Sequence, residues 1–284
     1  MARGVAAQQG RRTVIDRETI IQWYPGHMAS AMREIERRVS LIDIFIECVD
    51  ARIPLAGVNP DLSTIIGRKP KLTVLTREDL ADPAITKNWL DWYASGRRGR
   101  AVAVNARDAN SYSQASFLLS QMLSSARVKG VARTMVVGIP NSGKSTVING
   151  LLKRTVAKVE DKAGVTRAAQ WFRVGPNIEM MDTPGILVPK IDSMQAQWML
   201  AMCAAIPREK CSPENVIHSF SDWMTNNRPQ RQVPDLEAFA TARRMLRSGG
   251  ELELHNAALA YMKDFNEGKF GRISFEGPPS EPAP

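Results

Sequence analysis

Gly138-Ile-Pro-Asn-Ser-Gly-Lys-Ser145 constrains this chain more than any other stretch. It is a complete GxxxxGK[ST], set between the strand-like Thr134-Met-Val-Val137 and the helix-like Thr146 to Leu152, and in that setting it reads as a P-loop. The glycines let backbone N–H groups from Asn141, Ser142 and Gly143 through to Thr146 turn inward around phosphate oxygens. Lys144 adds a cation near the terminal phosphates, and the Ser145 hydroxyl suits magnesium. A loop of this kind works only between a strand and a helix, so the chain must fold as an α/β protein.

Downstream, the strand-like Asn177-Ile-Glu-Met-Met181 ends in Asp182-Thr-Pro-Gly185. Alone this would be a turn. Placed 37 residues after Ser145 (182 − 145 = 37) and following a strand, it reads as a phosphate sensor. The Asp182 carboxylate would approach magnesium through water, and the Gly185 N–H would meet the γ-phosphate. Between the two motifs, Gly164-Val-Thr166 offers a threonine hydroxyl where a switch loop would close over the metal, making Thr166 a third magnesium candidate.

A triphosphatase of this kind also needs an element that reads the base, and no such motif follows Gly185. Two strand-like runs instead precede the P-loop: Ile42 to Asp50, and Lys71 to Leu75 leading into Thr76-Arg77-Glu78-Asp79. The Asp79 carboxylate would accept the two guanine N–H groups. A third run, Ala101 to Val104, leads into Asn105-Ala106, whose backbone N–H groups suit the base carbonyl. The order of parts is rotated, with base-reading strands first and the phosphate strand last. Helix-like segments over Pro60 to Ile66, Thr86 to Tyr93 and Gln114 to Arg127 alternate with these strands. That alternation predicts a mostly parallel sheet with helices on both faces.

From Leu187 onward the sequence reads as helices: Met194 to Ile206, Glu214 to Thr225, Leu236 to Arg247 and Leu252 to Phe265, separated by prolines and by Gly249-Gly250. This predicts a basic extension over 1–20, a nucleotide-binding domain over 21–190, a small all-α domain over 191–276 and a disordered tail over 277–284. The formal charge is +9, and 26 of the 38 basic residues are arginine, whose planar fork suits phosphate. Arg243, Arg244 and Arg247 share a face of the expected third helix, and with Arg33, Arg37 and Arg38 they form candidate contacts to an RNA backbone. Cys48, Cys203 and Cys211 contain no CxxC, which argues against a disulfide framework or a cysteine zinc site. No apolar run approaches the roughly 18 residues of a membrane span, so no stable membrane insertion is expected.

Taken together, these residues resemble the circularly permuted GTPases of ribosome biogenesis, the YlqF/RbgA family and its mitochondrial ribosome-associated relatives. The resemblance begins at Ile21-Gln-Trp-Tyr-Pro-Gly-His-Met28 and runs through Asp50-Ala-Arg-Ile-Pro54, the P-loop and Asp182-Thr-Pro-Gly-Ile186. It closes on Gly268-Lys-Phe-Gly-Arg-Ile-Ser274. It implies a circularly permuted P-loop GTPase domain followed by a small helical domain. It also implies GTP and magnesium as ligands, and large-subunit rRNA and ribosomal proteins as partners; no DNA is expected. The arginine-rich residues 1–15, without an acid before Asp16, fit the mitochondrial matrix, and the alternative is a bacterial cytoplasm.

The resemblance also assigns two side chains. Ile186 and Leu187 follow the DxxG, where a glutamine most often orients the attacking water, and His27 would be the catalytic substitute. Its alternative is to cap a helix from Met28 whose apolar stripe is Met28, Met32, Ile35 and Val39. Asn141 matches an asparagine that holds a potassium ion in related GTPases; its alternative is a turn-stabilising role. Two departures stand out. Thr76 replaces the asparagine of Asn-Lys-x-Asp, putting a hydroxyl where an amide reads guanine, and Ala163 replaces a switch-loop proline. The expected function is a GTP-driven assembly factor that leaves the subunit on hydrolysis. A weakly nucleotide-binding structural assembly factor and a P-loop ATPase or kinase are the alternatives.

Overall fold

The structure is a computed structural model describing residues 25–95, 99–126, 128, 130–152, 170–174, 177–188, 190–191 and 193–280. Thr166 and Ala163, and the stretch from Ile21 to Tyr24, lie outside the described residues. The first helix, α1 (Gly26–Arg38), leads through a short turn into β1 (Ile44–Asp50). Then come α2 (Pro60–Ile66), β2 (Lys71–Thr76), α3 (Pro83–Ser95), β3 (Arg100–Ala103) and α4 (Ala109–Ser125). The phosphate half follows as β4 (Ala132–Val137), α5 (Lys144–Leu152), β5 (Gln170–Val174) and β6 (Ile178–Asp182). Helices α6 (Met194–Met202), α7 (Pro213–Asn227), α8 (Leu236–Ala242) and α9 (Leu254–Asn266) complete the described elements.

The strands form one six-stranded sheet in the order β3-β2-β1-β4-β6-β5, parallel except for the β5–β6 pair. The expected fold class therefore holds. All seven residues of β1 are buried, as a central strand covered on both faces requires. Its side chains alternate between those faces. Ile44, Ile46 and Cys48 join α4 and α5 in one cluster, while Phe45 enters a second and Val49 packs with Trp89 and Tyr93 of α3 in a third.

Strand β1 pairs with β2 on one side and β4 on the other, so the chain reverses its direction of travel across the sheet between β1 and β4. Ligand crevices of open parallel sheets form outside the carboxyl ends of the strands at such a switch point. The loops after β1, β2 and β4 all open there. The Phe45 cluster is continuous, running from Met28, Met32 and Ile35 of α1 through Ile139, Ile186 and Leu187 to Phe220, Tyr261 and Phe275 of the carboxy-terminal half. The helical region thus shares its core with the nucleotide-binding face.

Three expectations about elements are corrected. Strand β5 was not read from sequence; it is an antiparallel edge strand with Trp171 40% exposed, so the clean apolar signature of a buried strand is missing. Helix α6 stops at Met202 rather than Ile206: Ala205 N–H bonds back to the Leu200 carbonyl, with Ala204 left-handed at φ 62°. Helix α8 stops at Ala242 rather than Arg247 through the same device, Met245 N–H meeting the Ala240 carbonyl with Arg244 at φ 53°. Arg243, Arg244 and Arg247 therefore do not share a helix face. Arg243 stacks on Phe239 and pairs with Asp264, while Arg247 pairs with Glu253 across the turn that pairs Leu246 with Leu252.

Candidate nucleotide site

The P-loop leaves β4 at Val137 and enters α5 at Lys144. Its glycines are required by close approaches. A Cβ on Gly138 would lie 2.4 Å from the Cys48 carbonyl oxygen, and one on Gly185 would lie 2.5 Å from the Pro140 backbone. The DTPG turn is therefore pressed directly against the P-loop, an approach reinforced by Ile186 N–H donating to the Gly138 carbonyl at 3.1 Å. Thr183 anchors the same turn by donating its hydroxyl to the Val136 carbonyl at 2.7 Å.

Inside this cradle, Lys144 is buried and its Nζ donates to the Gly138 and Ile139 carbonyls at 3.3 and 2.8 Å. Burial pulls its ammonium below the ordinary value, with the Asp182 carboxylate opposing that shift. Burial likewise pushes the Asp182 carboxyl up against the opposing pull of Lys144 and a hydrogen bond from Ser145. Ser145 Oγ donates to Asp182 Oδ2 at 3.0 Å, while Asp182 Oδ1 and Ser142 Oγ are buried without a hydrogen-bond partner among the described residues. A hydroxyl and a carboxylate side by side, with one carboxylate oxygen unmatched, form a hard oxygen donor set that fits magnesium.

The base-reading candidates lie against this cradle. Thr76 is buried, and its hydroxyl reaches the Ser142 carbonyl at 2.9 Å and that of Val49 at 3.2 Å. The hydroxyl expected where an amide reads guanine is thus turned onto the phosphate loop. Arg77, left-handed at φ 55°, donates to the Asn141 carbonyl at 3.1 Å and to Asn266 Oδ1 at 3.2 Å. Glu78 N–H donates to the Val104 carbonyl at 3.2 Å, which brings Asn105 and Ala106 alongside. Asn105 Oδ1 accepts from Arg107 N–H, and the Arg107 guanidinium lies 3.8 Å from the Asp79 carboxylate. Residues 76 and 77 therefore touch the P-loop at Ser142 and Asn141, and Glu78 joins them to the end of the strand that leads into Asn105 and Ala106.

Asn141, also left-handed at φ 55°, donates its amide Nδ2 to the Ala204 carbonyl at 2.8 Å, linking the P-loop to the end of α6. His27 is the second residue of α1; Pro25 occupies the N-cap position and no side chain caps the helix, so the capping alternative does not hold. His27 Nε2 is buried without a partner among the described residues, while its neighbour Met28 packs in the same cluster as Ile139 and Ile186. Of the basic candidates, Arg33 and Arg37 are exposed on α1 and Arg38 pairs with Glu34.

Sequence reasoning assigned no role to Asp50 and Arg52, although both stood in a quoted motif. The buried Arg52 forks onto Asp50 at 2.9 and 2.7 Å, donates to Asn266 Oδ1 at 3.0 Å and lies over the Phe265 ring. Asn266 Nδ2 in turn donates to the Met202 and Met262 carbonyls, so this network ties the loop after β1 to α6 and α9.

Residues 133–240 match a family model described as 50S ribosome-binding GTPase. The chain is 35% identical over 281 residues to ribosome biogenesis GTPase A of Bacillus pumilus, covering 92% of this chain and 99% of that protein. It is 33% identical over 216 residues to the mitochondrial protein Short integuments 2 of Arabidopsis thaliana, covering 70% of this chain and 55% of that one. Among solved structures, GNP-bound YlqF from T. maritima superposes with a TM-score of 0.66 at 26% identity, covering 87% of this chain and 98% of that chain.

Proposed function

The chain belongs to the ribosome biogenesis GTPase A (YlqF/RbgA) family, and from that premise we propose that it docks on an assembling large ribosomal subunit, hydrolyses GTP there and leaves on hydrolysis. It is a GTP-hydrolysing enzyme. The observation that carries the reading is the contact between the two halves of the rotated site, Thr76 and Arg77 bonding to the Ser142 and Asn141 carbonyls. One purine triphosphate spans from Asp79 to Lys144 across that contact.

In this reading Asn141 to Thr146 and Gly185 grip the phosphates, and Thr76 to Asp79 with Asn105 and Ala106 frame the guanine. Ser145 and Asp182 hold magnesium, with Thr166 as a further ligand; when bound, the metal neutralises charge developing on the phosphates. The unpartnered His27 Nε2 accepts a proton from the attacking water and fixes its direction. The Asn141 side-chain oxygen serves a potassium ion. Residues 21–190 form the GTPase unit and 191–276 the helical unit. Of the basic candidates, the exposed Arg33 and Arg37 on α1 and Arg244 after α8, outside the ion pairs described above, meet rRNA through phosphates and helix shape rather than base edges. The mitochondrial matrix is supported by the composition of residues 1–15 and by the Arabidopsis relative.

Sedimentation with large-subunit particles tests the reading. Co-migration with particles in a non-hydrolysable GTP analogue and release in GDP is the expected result. Equal binding in both states would remove the hydrolysis-coupled departure, and comparable GTP and ATP affinities would remove the guanine assignment.

A further inference from the structure

The loop carrying Asp79 is held by more than its own sheet. A stretch after α9 crosses it as a strap. Arg272 Nε donates to the Ala81 carbonyl at 2.7 Å, and Arg272 Nη2 donates to the Glu78 carbonyl at 2.8 Å and to the Glu78 carboxylate. Ile273 N–H donates to the Leu80 carbonyl at 2.9 Å, and Ser274 Oγ accepts from Asp82 N–H at 3.0 Å. The carbonyls of Glu78 and Leu80, on either side of Asp79, are thus both fixed by the strap.

The strap then crosses to the loop after β1. Phe275 N–H donates to the Arg52 carbonyl at 2.8 Å, and the Glu276 carboxylate accepts from Leu55 and Ala56 N–H at 2.8 and 3.0 Å. The helical region holds it from behind, with Arg231 donating to the carbonyls of Phe270 and Arg272. Two left-handed glycines, Gly268 at φ 80° and Gly271 at φ 75°, give it its path, and a Cβ at Gly268 would lie 2.8 Å from the Leu80 side chain. The Asp79 side chain has a weaker tether, the long contact to the 74% exposed Arg107.

We propose that Arg272 is a positioning residue for purine reading: with the strap Ile273 to Glu276 it fixes the backbone of Glu78 to Asp82, aims the Asp79 carboxylate and makes guanine discrimination depend on the docked helical region. This deepens the assignment of Asp79 as the acceptor for guanine and rests on it. Force exerted on the helical region by a bound partner then alters guanine affinity, and nucleotide alters partner affinity by the same factor.

GTP and ITP carry the same phosphates and the same ring N1–H, but ITP lacks the exocyclic amine, so the ratio of their affinities reads the amine half of the Asp79 contact apart from the phosphate cradle. In the full chain, Arg272→Ala is expected to lower the GTP-over-ITP preference by about tenfold, the scale of one hydrogen bond to a charged group, with ITP affinity falling less than GTP affinity. Arg272→Lys, able to serve one carbonyl at a time, retains part of the preference, and thermal melting verifies that each variant is folded. An unchanged GTP-over-ITP ratio, whether both affinities persist or fall in step, overturns the proposal. If Arg272→Ala does not fold, Arg272→Lys and Ser274→Ala carry the same measurement and the same criterion. Asp79→Asn separates the two levels: if that variant keeps the wild-type ratio, the Asp79 assignment fails and the strap proposal with it. If Asp79→Asn loses the ratio while the strap variants keep it, the strap proposal alone fails.

Discussion

Thr76 Oγ1 lies 2.9 Å from the Ser142 carbonyl oxygen, so a buried hydrogen bond joins two segments 66 residues apart in the chain. Thr76→Val keeps the shape of the side chain and removes the donor, leaving a buried carbonyl unmatched. A loss of about 1–2 kcal/mol of stability is expected, read by denaturant titration.

Lys144 is surrounded by loop carbonyls and by Asp182, in a cradle made to receive phosphate charge. Lys144→Ala should abolish GTP binding in equilibrium titration while the chain stays folded, because among the described residues the lysine bonds carbonyls and holds no carboxylate at contact distance. Retained nucleotide affinity would move the phosphate site elsewhere.

His27 sits on a helix fixed by Met28, Met32 and Ile35, so removing its ring leaves the packing of α1 in place. His27→Ala should keep GTP affinity and lower turnover by about a hundredfold or more, as the loss of a general base does. Undiminished single-turnover hydrolysis would remove His27 from the catalytic set.

Asn141 uses its amide nitrogen on the Ala204 carbonyl, which leaves the side-chain oxygen for the proposed potassium ion. Exchanging potassium for sodium should slow turnover, and Asn141→Ala should erase the difference between the two ions. Equal rates in both salts would leave Asn141 as a link between the P-loop and α6 alone.

Asp50 predicts the acid behaviour of the fold. Burial by itself would raise its pKa, but the charge and hydrogen bonds of Arg52, with Arg77, overcome burial and hold it below the ordinary 3.8. A folded value below the unfolded one means that the stabilisation is complete above the ordinary carboxylate range. It is lost as pH falls through the lowered folded value. Stability should therefore drop on acidification below about pH 4, and Asp50→Asn should flatten that step. Arg52→Ala leaves a buried carboxylate unpaired at neutral pH and should cost about 3–5 kcal/mol.

Much of this was legible in the residues. The P-loop and DTPG announce themselves because phosphate binding needs glycines and backbone N–H groups at fixed spacing, and β1 and β4 because central strands carry dense runs of apolar and β-branched residues. The ends of α6 and α8 were not legible: Ala204 and Arg244 hold the left-handed position where glycine usually marks a stop, so nothing in the local pattern broke the helix. Asp264 on α9, which pairs with Arg243, lies 21 residues further on. Arg272 stood inside the quoted Gly268–Ser274 motif, but its task was equally hidden, because nothing local shows that the loop after β2 lies beneath it.

The sequence by itself determined the chemistry and its rotated order, because each motif is a short stretch whose spacing states what it binds. Only the tertiary structure decided which of those stretches touch, since Thr76 with Ser142, Arg77 with Asn141 and Arg272 with Glu78 are contacts between distant segments. Such contacts depend on how strands pair across a switch point and on which helix end falls against which loop. Local composition does not encode those distances.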